Sequence, residues 1–330
     1  MCNSFLLLML MTAMDTTAPV IAPEQVPAPT VFEPGVISRG AHEAALAFEA
    51  DGKTVYFQRS NTDISTILVS REREGRWSTP VVAEFSGQWS DMEPALAPDG
   101  SFLVFASSRP LFRGGAPIDG FYSGKRQPGA GGNLWRVDRT STGWGEPYLL
   151  PATINTGTSV FAPDVLRDGS LLFMRPDPIT QKFRLFRSQR RGRDYEAAIA
   201  LPFSSGLVTD VDPVADPDGR FIVFASGRPP AKGMDLFIVK NSNGKWGEPR
   251  HLGPLINAEG SDAEPRLSPD GRQLYFSSER ILRAASPRSR SDAPQELEDA
   301  AIWNNGQYNI WTIDLSPWLG ADSEPKGTES

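Results

Sequence analysis

Asp210-Val-Asp-Pro-Val-Ala-Asp-Pro-Asp-Gly219, followed directly by Arg-Phe-Ile-Val-Phe-Ala-Ser-Gly-Arg228, is the stretch that decides the fold. It recurs as Asp91-Met-Glu-Pro-Ala-Leu-Ala-Pro-Asp-Gly100 with Ser-Phe-Leu-Val-Phe-Ala-Ser-Ser-Arg109. It recurs again as Asp262-Ala-Glu-Pro-Arg-Leu-Ser-Pro-Asp-Gly271 with Arg-Gln-Leu-Tyr-Phe-Ser-Ser-Glu-Arg280. Two weaker copies surround Asp51-Gly52 and Asp168-Gly169. The Asp-Gly pairs thus fall at 51, 99, 168, 218 and 270, at intervals of 48, 69, 50 and 52 residues.

Each copy can be read physically. Pro-Asp-Gly is turn chemistry, because proline fixes φ, aspartate bonds its own backbone and glycine accepts φ > 0. The residues after the turn alternate with period two (Leu103, Phe105, Ser107), as a strand requires. An Asp or Asn then leads an aromatic-rich strand: Asn133-Leu-Trp-Arg-Val137, Asp235-Leu-Phe-Ile-Val239, Asn309-Ile-Trp-Thr-Ile313. A fourth element begins at Trp77-Ser-Thr-Pro80, Trp144-Gly-Glu-Pro147 and Trp246-Gly-Glu-Pro249. Four-stranded units of about 50 residues, repeated five times, are the blades of an all-β, five-bladed β-propeller. Stacked in a ring, each sheet buries both faces and no open end is left.

Ring closure is also readable. The fifth copy ends at Leu315-Ser-Pro317 without a fourth strand, and Pro29-Thr-Val-Phe-Glu-Pro-Gly-Val-Ile-Ser38 resembles the fourth-strand segment Pro249 to Asn257. Residues 29–38 are therefore expected to supply the outer strand of the last blade. The alternative is a six-bladed ring with one degenerate copy. The expected organisation is a signal-like segment and Pro-rich linker over 1–28, the propeller over 29–317 and a polar tail over 318–330. The blades fall at about 39–90, 91–159, 160–209, 210–261 and 262–317 plus 29–38.

Composition narrows the function. The net charge is −7, which argues against nucleic acid as a partner, since that needs basic patches. With one cysteine, Cys2, and two distant histidines, His42 and His251, a thiolate–imidazole zinc site and a Cys–His catalytic pair are all but excluded. A calcium or magnesium site of oxygen ligands stays open. The apolar run Phe5 to Met11 has the length of a signal-peptide core but no preceding Lys or Arg, and it is too short to span a membrane.

The pattern Asp-x-Glu-Pro-x-x-x-Pro-Asp-Gly-x-x-Leu-x-Phe-x-Ser-x-Arg resembles the PD40, or WD40-like, repeat of TolB-type periplasmic propellers and of the propeller domains of some serine peptidases. The resemblance covers residues 29–317 and is specific in the second, fourth and fifth copies. It implies a propeller, a periplasmic or secreted address and a binding role. The separate α/β domain of TolB has no counterpart in the 28 or so residues before the propeller, and no Gly-x-Ser-x-Gly elbow marks a peptidase nucleophile.

Candidate sites follow from aligning the copies on Asp-Gly. One column reads Glu43, Asp91, Asp210 and Asp262, and two residues on stand Glu93, Asp212 and Glu264. Carboxylates from successive blades would ring one mouth of the central channel, as a cation or ligand site or as turn caps and local pairs. Recurrence in every good copy favours the second explanation. A third column, Arg109, Arg228 and Arg280, should return to the same rim and bridge to carboxylates, for instance Arg109 to Glu93. The first and third copies depart from the pattern. One carries His42 and Glu43 without the proline, the other Phe161 and Ala162, and each has an arginine (Arg59, Arg175) where the others have serine. Insertions at 110–132 and 281–307 should lie on the carboxylate face. Trp89 and Trp303 stand outside the regular aromatic positions and are the best candidates among the tryptophans for contacting a ligand.

The expected function is a non-catalytic extracytoplasmic module. It would bind an envelope protein, or a polysaccharide or peptidoglycan polymer, through its loop-rich face. No cofactor is expected, apart from a possible calcium ion in the channel. The alternative is a five-bladed glycoside hydrolase or lyase using Glu93, Asp212 and Glu264, a reading that nearby arginines would oppose by holding carboxyl pKa values down.

Overall fold

Each Asp-Gly pair closes a hairpin as its chemistry demands. Gly52, Gly100, Gly169, Gly219 and Gly271 all sit at φ between 66° and 78°. In four of the five the aspartate carboxylate accepts the N–H two residues on, as Asp51 does from Lys53 (2.7 Å) and Asp99 from Ser101 (2.9 Å), and at Asp218-Gly219 Asp216 accepts the Arg220 N–H instead. The computed structural model describes residues 26–61, 64–122 and 124–320. The signal-like run, Cys2 and most of the polar tail lie outside these residues.

Five antiparallel sheets result. The inner, second, third and outer strands are Glu43–Phe48, Thr54–Ser60, Ser65–Arg73 and Val81–Val82 in blade 1. In blade 2 they are Asp91–Leu96, Phe102–Ser107, Asn133–Thr140 and Tyr148–Leu149. Blade 3 has Phe161–Val165, Leu171–Pro176, Phe183–Ser188 and Ile199–Ala200, and blade 4 has Asp210–Ala215, Phe221–Ser226, Asp235–Ser242 and Arg250–His251. Blade 5 has Asp262–Leu267, Gln273–Ser278 and Asn309–Asp314. Its outer strand comes from the other end of the chain: Thr30 pairs with Thr312 and Val31 with Trp311. Each inner strand packs against the next, and the fifth against the first. The ring therefore closes at five blades among the described residues.

Blade-to-blade burial holds the ring. Phe105, Phe173, Phe224, Phe237 and Phe276 are buried between neighbouring sheets, each contributing about 1.5–3 kcal/mol of apolar transfer. The element that opens at Trp77, Trp144 and Trp246 is not the outer strand itself. These tryptophans fold back as a short hairpin on the end of the third strand, and where an outer strand follows it lies just beyond the next proline. The insertion at 110–132 forms a small hairpin, Gly120–Tyr122 with Lys125–Gln127. The insertion at 281–307 carries the helix Ala293–Ile302.

Candidate functional site at the channel mouth

Every inner strand contains a β-bulge, seen as a register shift between Ala44 and Ala47, Met92 and Ala95, Phe161 and Asp164, Val211 and Val214, and Ala263 and Arg266. One residue at each bulge takes a left-handed backbone: Ala45, Glu93, Ala162, Asp212 and Glu264, with φ of 53°, 54°, 48°, 53° and 49°. A bulge re-aims the side chain it carries, and a non-glycine residue held there stores backbone strain. In blades 2, 4 and 5 that side chain is an acid. One oxygen from each of Glu93, Asp212 and Glu264 lies within 4.8 Å of the other two.

These acids are knitted into the ring. Glu93 Oε2 accepts the Ala162 N–H at 2.6 Å and Asp212 Oδ2 accepts the Glu264 N–H at 3.2 Å. The Glu93 N–H in turn donates to Gln58 Oε1 at 3.1 Å. The buried Arg266 reaches Glu264 Oε2 at 3.4 Å. Three carboxylates thus face one guanidinium. Burial, and then the Asp212 charge, push the Glu93 carboxyl up to about 7, against the Ala162 N–H and Arg266. Burial also raises Asp212, and burial with the charges of Asp212 and Glu93 raises Glu264 well above the usual range. The group is an electron-rich cluster suited to sharing a proton or holding a cation.

Two cavities open above it on the face that carries the long loops. One, of about 820 Å³, has polar walls from His42, Gln58, Asn61 and Tyr308 over a floor of Asp212 and Glu264. The other, of about 390 Å³, has an apolar wall of Met92, Tyr122, Phe161, Met174 and Phe183 around Glu93. Burial pushes the Tyr308 hydroxyl up to about 12. At the opposite end of the channel, Asp164 and Arg266 line a third cavity of about 310 Å³. The Asp164 carboxyl, raised to about 6 chiefly by burial, accepts the Ala215 N–H at 2.8 Å.

The other carboxylate column has a different task. Asp91, Asp210 and Asp262 are fully buried and pair with Arg109 (3.2 Å), Arg228 (2.7 Å) and Arg280 (3.0 Å), and Glu43 pairs with Arg59 at 2.8 Å. The expected Arg109–Glu93 bridge is thus replaced by Arg109–Asp91. Two residues that would share a face of a regular strand are split by the bulge between them. Each arginine also donates to a backbone carbonyl of the segment entering its blade: Ile37, Phe85, Phe203 or Ile256. Each guanidinium lies over a core phenylalanine, 5.5 Å from Phe57, 5.0 Å from Phe105 and 4.9 Å from Phe224 and Phe276. This ion pair is a clamp between blades, which sets Glu43, Asp91, Arg109, Asp210, Arg228, Asp262 and Arg280 apart from the mouth.

The remaining candidates separate. His42 is exposed on the rim, edge-to-face with Tyr308 at 5.8 Å. Trp89 is half-buried and lines neither mouth cavity. Trp303 is buried edge-to-face on Trp311 at 5.8 Å, with Nε1 donating to Asp299, so it packs the core instead of offering a platform to a ligand. Sequence reasoning missed Gln58, Tyr308, Asp164 and Arg266. Two of these carried a signal. The column Ala47, Ala95, Asp164, Val214, Arg266 is small or apolar in three blades and charged in two.

No family model matches the chain, and no curated protein does. Among solved structures, the chain is similar to TolB from Acinetobacter baumannii (13% identity, TM-score 0.45, 82% of this chain and 54% of that one). It is also similar to a TolB-type structure from Agrobacterium tumefaciens (18% identity, TM-score 0.46, 71% and 69%). A third is the Hadza microbial sialidase Hz136 (14% identity, TM-score 0.45, 76% and 55%). The chain spans about half the length of the A. baumannii protein. By its sheets and its closing strand, the chain is a five-bladed β-propeller.

Proposed function

We propose that the protein is a non-catalytic, extracytoplasmic binding module that holds a cation at Glu93, Asp212 and Glu264 and takes its partner on the loop-rich face above it. The carrying observation is the convergence of three carboxylates from three blades, two buried and that of Glu264 partly buried, with oxygens within 4.8 Å of one another. Calcium takes oxygen ligands at about 2.3–2.6 Å, so a span of this size bridges its coordination sphere. The all-oxygen donor set suits it, and the cation would offset the charge that Arg266 leaves uncompensated. The periplasmic or secreted address rests on the repeat resemblance and the N-terminal apolar run. The partner class is an envelope protein or a polymer such as peptidoglycan.

The test is calorimetric titration of the purified full-length protein with CaCl₂ at pH 7.5, with thermal unfolding in parallel. Saturable binding, and a rise in Tm that Glu93→Gln removes, supports the reading. No heat and no Tm change overturns it.

One observation favours a second reading, glycoside hydrolysis. Glu93 lacks the Arg109 bridge expected beside it, and burial with the Asp212 charge pushes its carboxyl up to about 7, as a general acid requires. Incubation with polysaccharides and peptidoglycan fragments, followed by mass spectrometry, decides. A product whose formation Glu93→Gln abolishes in a folded protein would make this an enzyme.

A further inference from the structure

Blade 3 breaks the clamp, and blade 1 serves as its control within the same chain. In blade 1, Arg59 stands two residues after Phe57 and directly opposite Glu43 across the two strands. Its Nε meets Glu43 Oε1 at 2.8 Å, while Glu43 Oε2 accepts the N–H groups of Arg39 and Ala41 at 3.2 Å each. In blade 3, Arg175 stands two residues after Phe173, the equivalent place, with its guanidinium 4.2 Å from the Phe186 ring centre and 5.9 Å from that of Phe173. The column that supplies Glu43 supplies Val160 here. Asp177, two residues on from Arg175, pairs with Arg184 instead.

Arg175 is therefore half-buried, and among the described residues it has no carboxylate partner. Its described hydrogen bond is from Nη1 to Thr156 Oγ1 at 2.8 Å. Burial with no opposing charge lowers its pKa. A half-buried guanidinium with a planar donor fork and no carboxylate partner among the described residues is an incomplete site, because arginine forms its strong contacts with carboxylate or phosphate oxygens. Space for such a group lies beside it. A cavity of about 270 Å³ is lined by Arg175, Thr156, Thr158, Ser159 and Phe121.

We propose that Arg175, with Thr156, receives the carboxylate of a ligand in the position that Glu43 occupies against Arg59 in blade 1. The ligand class is a carboxylate-bearing molecule, such as an acidic peptide or an acidic sugar. This site is separate from the Glu93–Asp212–Glu264 mouth, so either can fail without the other.

The test uses the full chain labelled with ¹⁵N-arginine, followed at the Nε–H resonances while sodium acetate replaces sodium chloride at constant ionic strength. The resonance of Arg175 is identified by its loss in Arg175→Gln. A saturable shift of that resonance is expected with acetate, and inorganic phosphate at the same concentration should give a smaller one. Val160→Glu restores the internal partner, so the acetate response should disappear while Tm rises. Absence of a saturable acetate response in the wild-type protein overturns the proposal. So does an acetate response that survives in folded Val160→Glu, or a phosphate response at least as strong as that to acetate. If Val160→Glu does not fold, the same titration of Thr156→Val decides, with a weakened acetate shift expected and an unchanged one overturning the site. An acidic hexapeptide and galacturonate, titrated next, distinguish the two ligand sources.

Discussion

Blade 4 and blade 3 share one topology and spend their side chains in opposite ways. Blade 4 fills its clamp: Asp210, fully buried, accepts hydrogen bonds from Arg228, Ser226 and Ser204. Blade 3 has Val160, Arg175 and Asp177 where blade 4 has Asp210, Ser226 and Arg228, and its charged pair is reversed, Asp177 with Arg184 at 3.3 Å. Released from the clamp, blade 3 packs Phe161 and Phe183 around Tyr122 from the inserted loop, with ring centres 5.5–6.2 Å apart. That cluster forms the apolar wall beside Glu93. Regular repeats hold the ring, and the irregular one shapes the cavity beside Glu93.

The largest effect should come from breaking a clamp. Asp210→Ala leaves Arg228 without its charge partner in a nearly buried place, and loss of one member of such a pair costs about 3–5 kcal/mol. Chemical denaturation followed by tryptophan fluorescence measures it. A cost below about 1 kcal/mol would erase the distinction between clamp blades and blade 3.

Next is the mouth. Glu93→Gln combined with Glu264→Gln removes two of the three proposed cation ligands, and calcium affinity should fall by at least about 100-fold, more than loss of a supporting contact usually costs. The fold should survive, because the glutamine at 93 can still accept the Ala162 N–H. If calcium binds the double variant as tightly as the wild type, the three acids serve the ring alone.

The pH dependence sharpens the same contrast. Glu93 keeps its proton in the folded state up to about 7, against an ordinary value of 4.5. Between those values the folded state binds more protons than the unfolded chain, so its contribution to stability is present at low pH and is lost as pH rises through the window. Without calcium, the wild type should lose stability from pH 5 to pH 8 relative to Glu93→Gln. Calcium, which binds the deprotonated form, should release protons and reverse the trend.

The fold was legible because it rests on local chemistry repeated five times. Asp-Gly turns, period-two strands and the orphan segment at 29–38 each point to the same closed ring. The acid columns were legible too, since alignment on Asp-Gly brings Glu93, Asp212 and Glu264 into one register. Their division of labour was not. In a regular strand Asp91 and Glu93 share a face, and only the bulge, a backbone feature with no side-chain signature beyond the proline that follows, sends one to the clamp and the other to the channel. Arg175 was visible as a departure from serine. Its meaning depended on knowing that Val160 and Glu43 occupy the same place.

The smallest effect tests the bulge itself. Ala45 and Ala162 hold the left-handed conformation with neither a glycine's freedom nor an acid's ring-crossing bond. An L-residue there costs about 1–2 kcal/mol, partly offset on substitution by the greater chain entropy of glycine in the unfolded state. Ala162→Gly should therefore stabilise the protein by about 0.5–1 kcal/mol. It keeps the N–H that Glu93 accepts and leaves calcium binding unaltered. A gain at both Ala45 and Ala162 would mean that ring closure imposes the bulge whatever residue occupies it, so that the acids in blades 2, 4 and 5 exploit a geometry already present. A loss at Ala162 alone would mean that its methyl group packs the apolar wall, and that blade 3 uses even this position to shape the pocket.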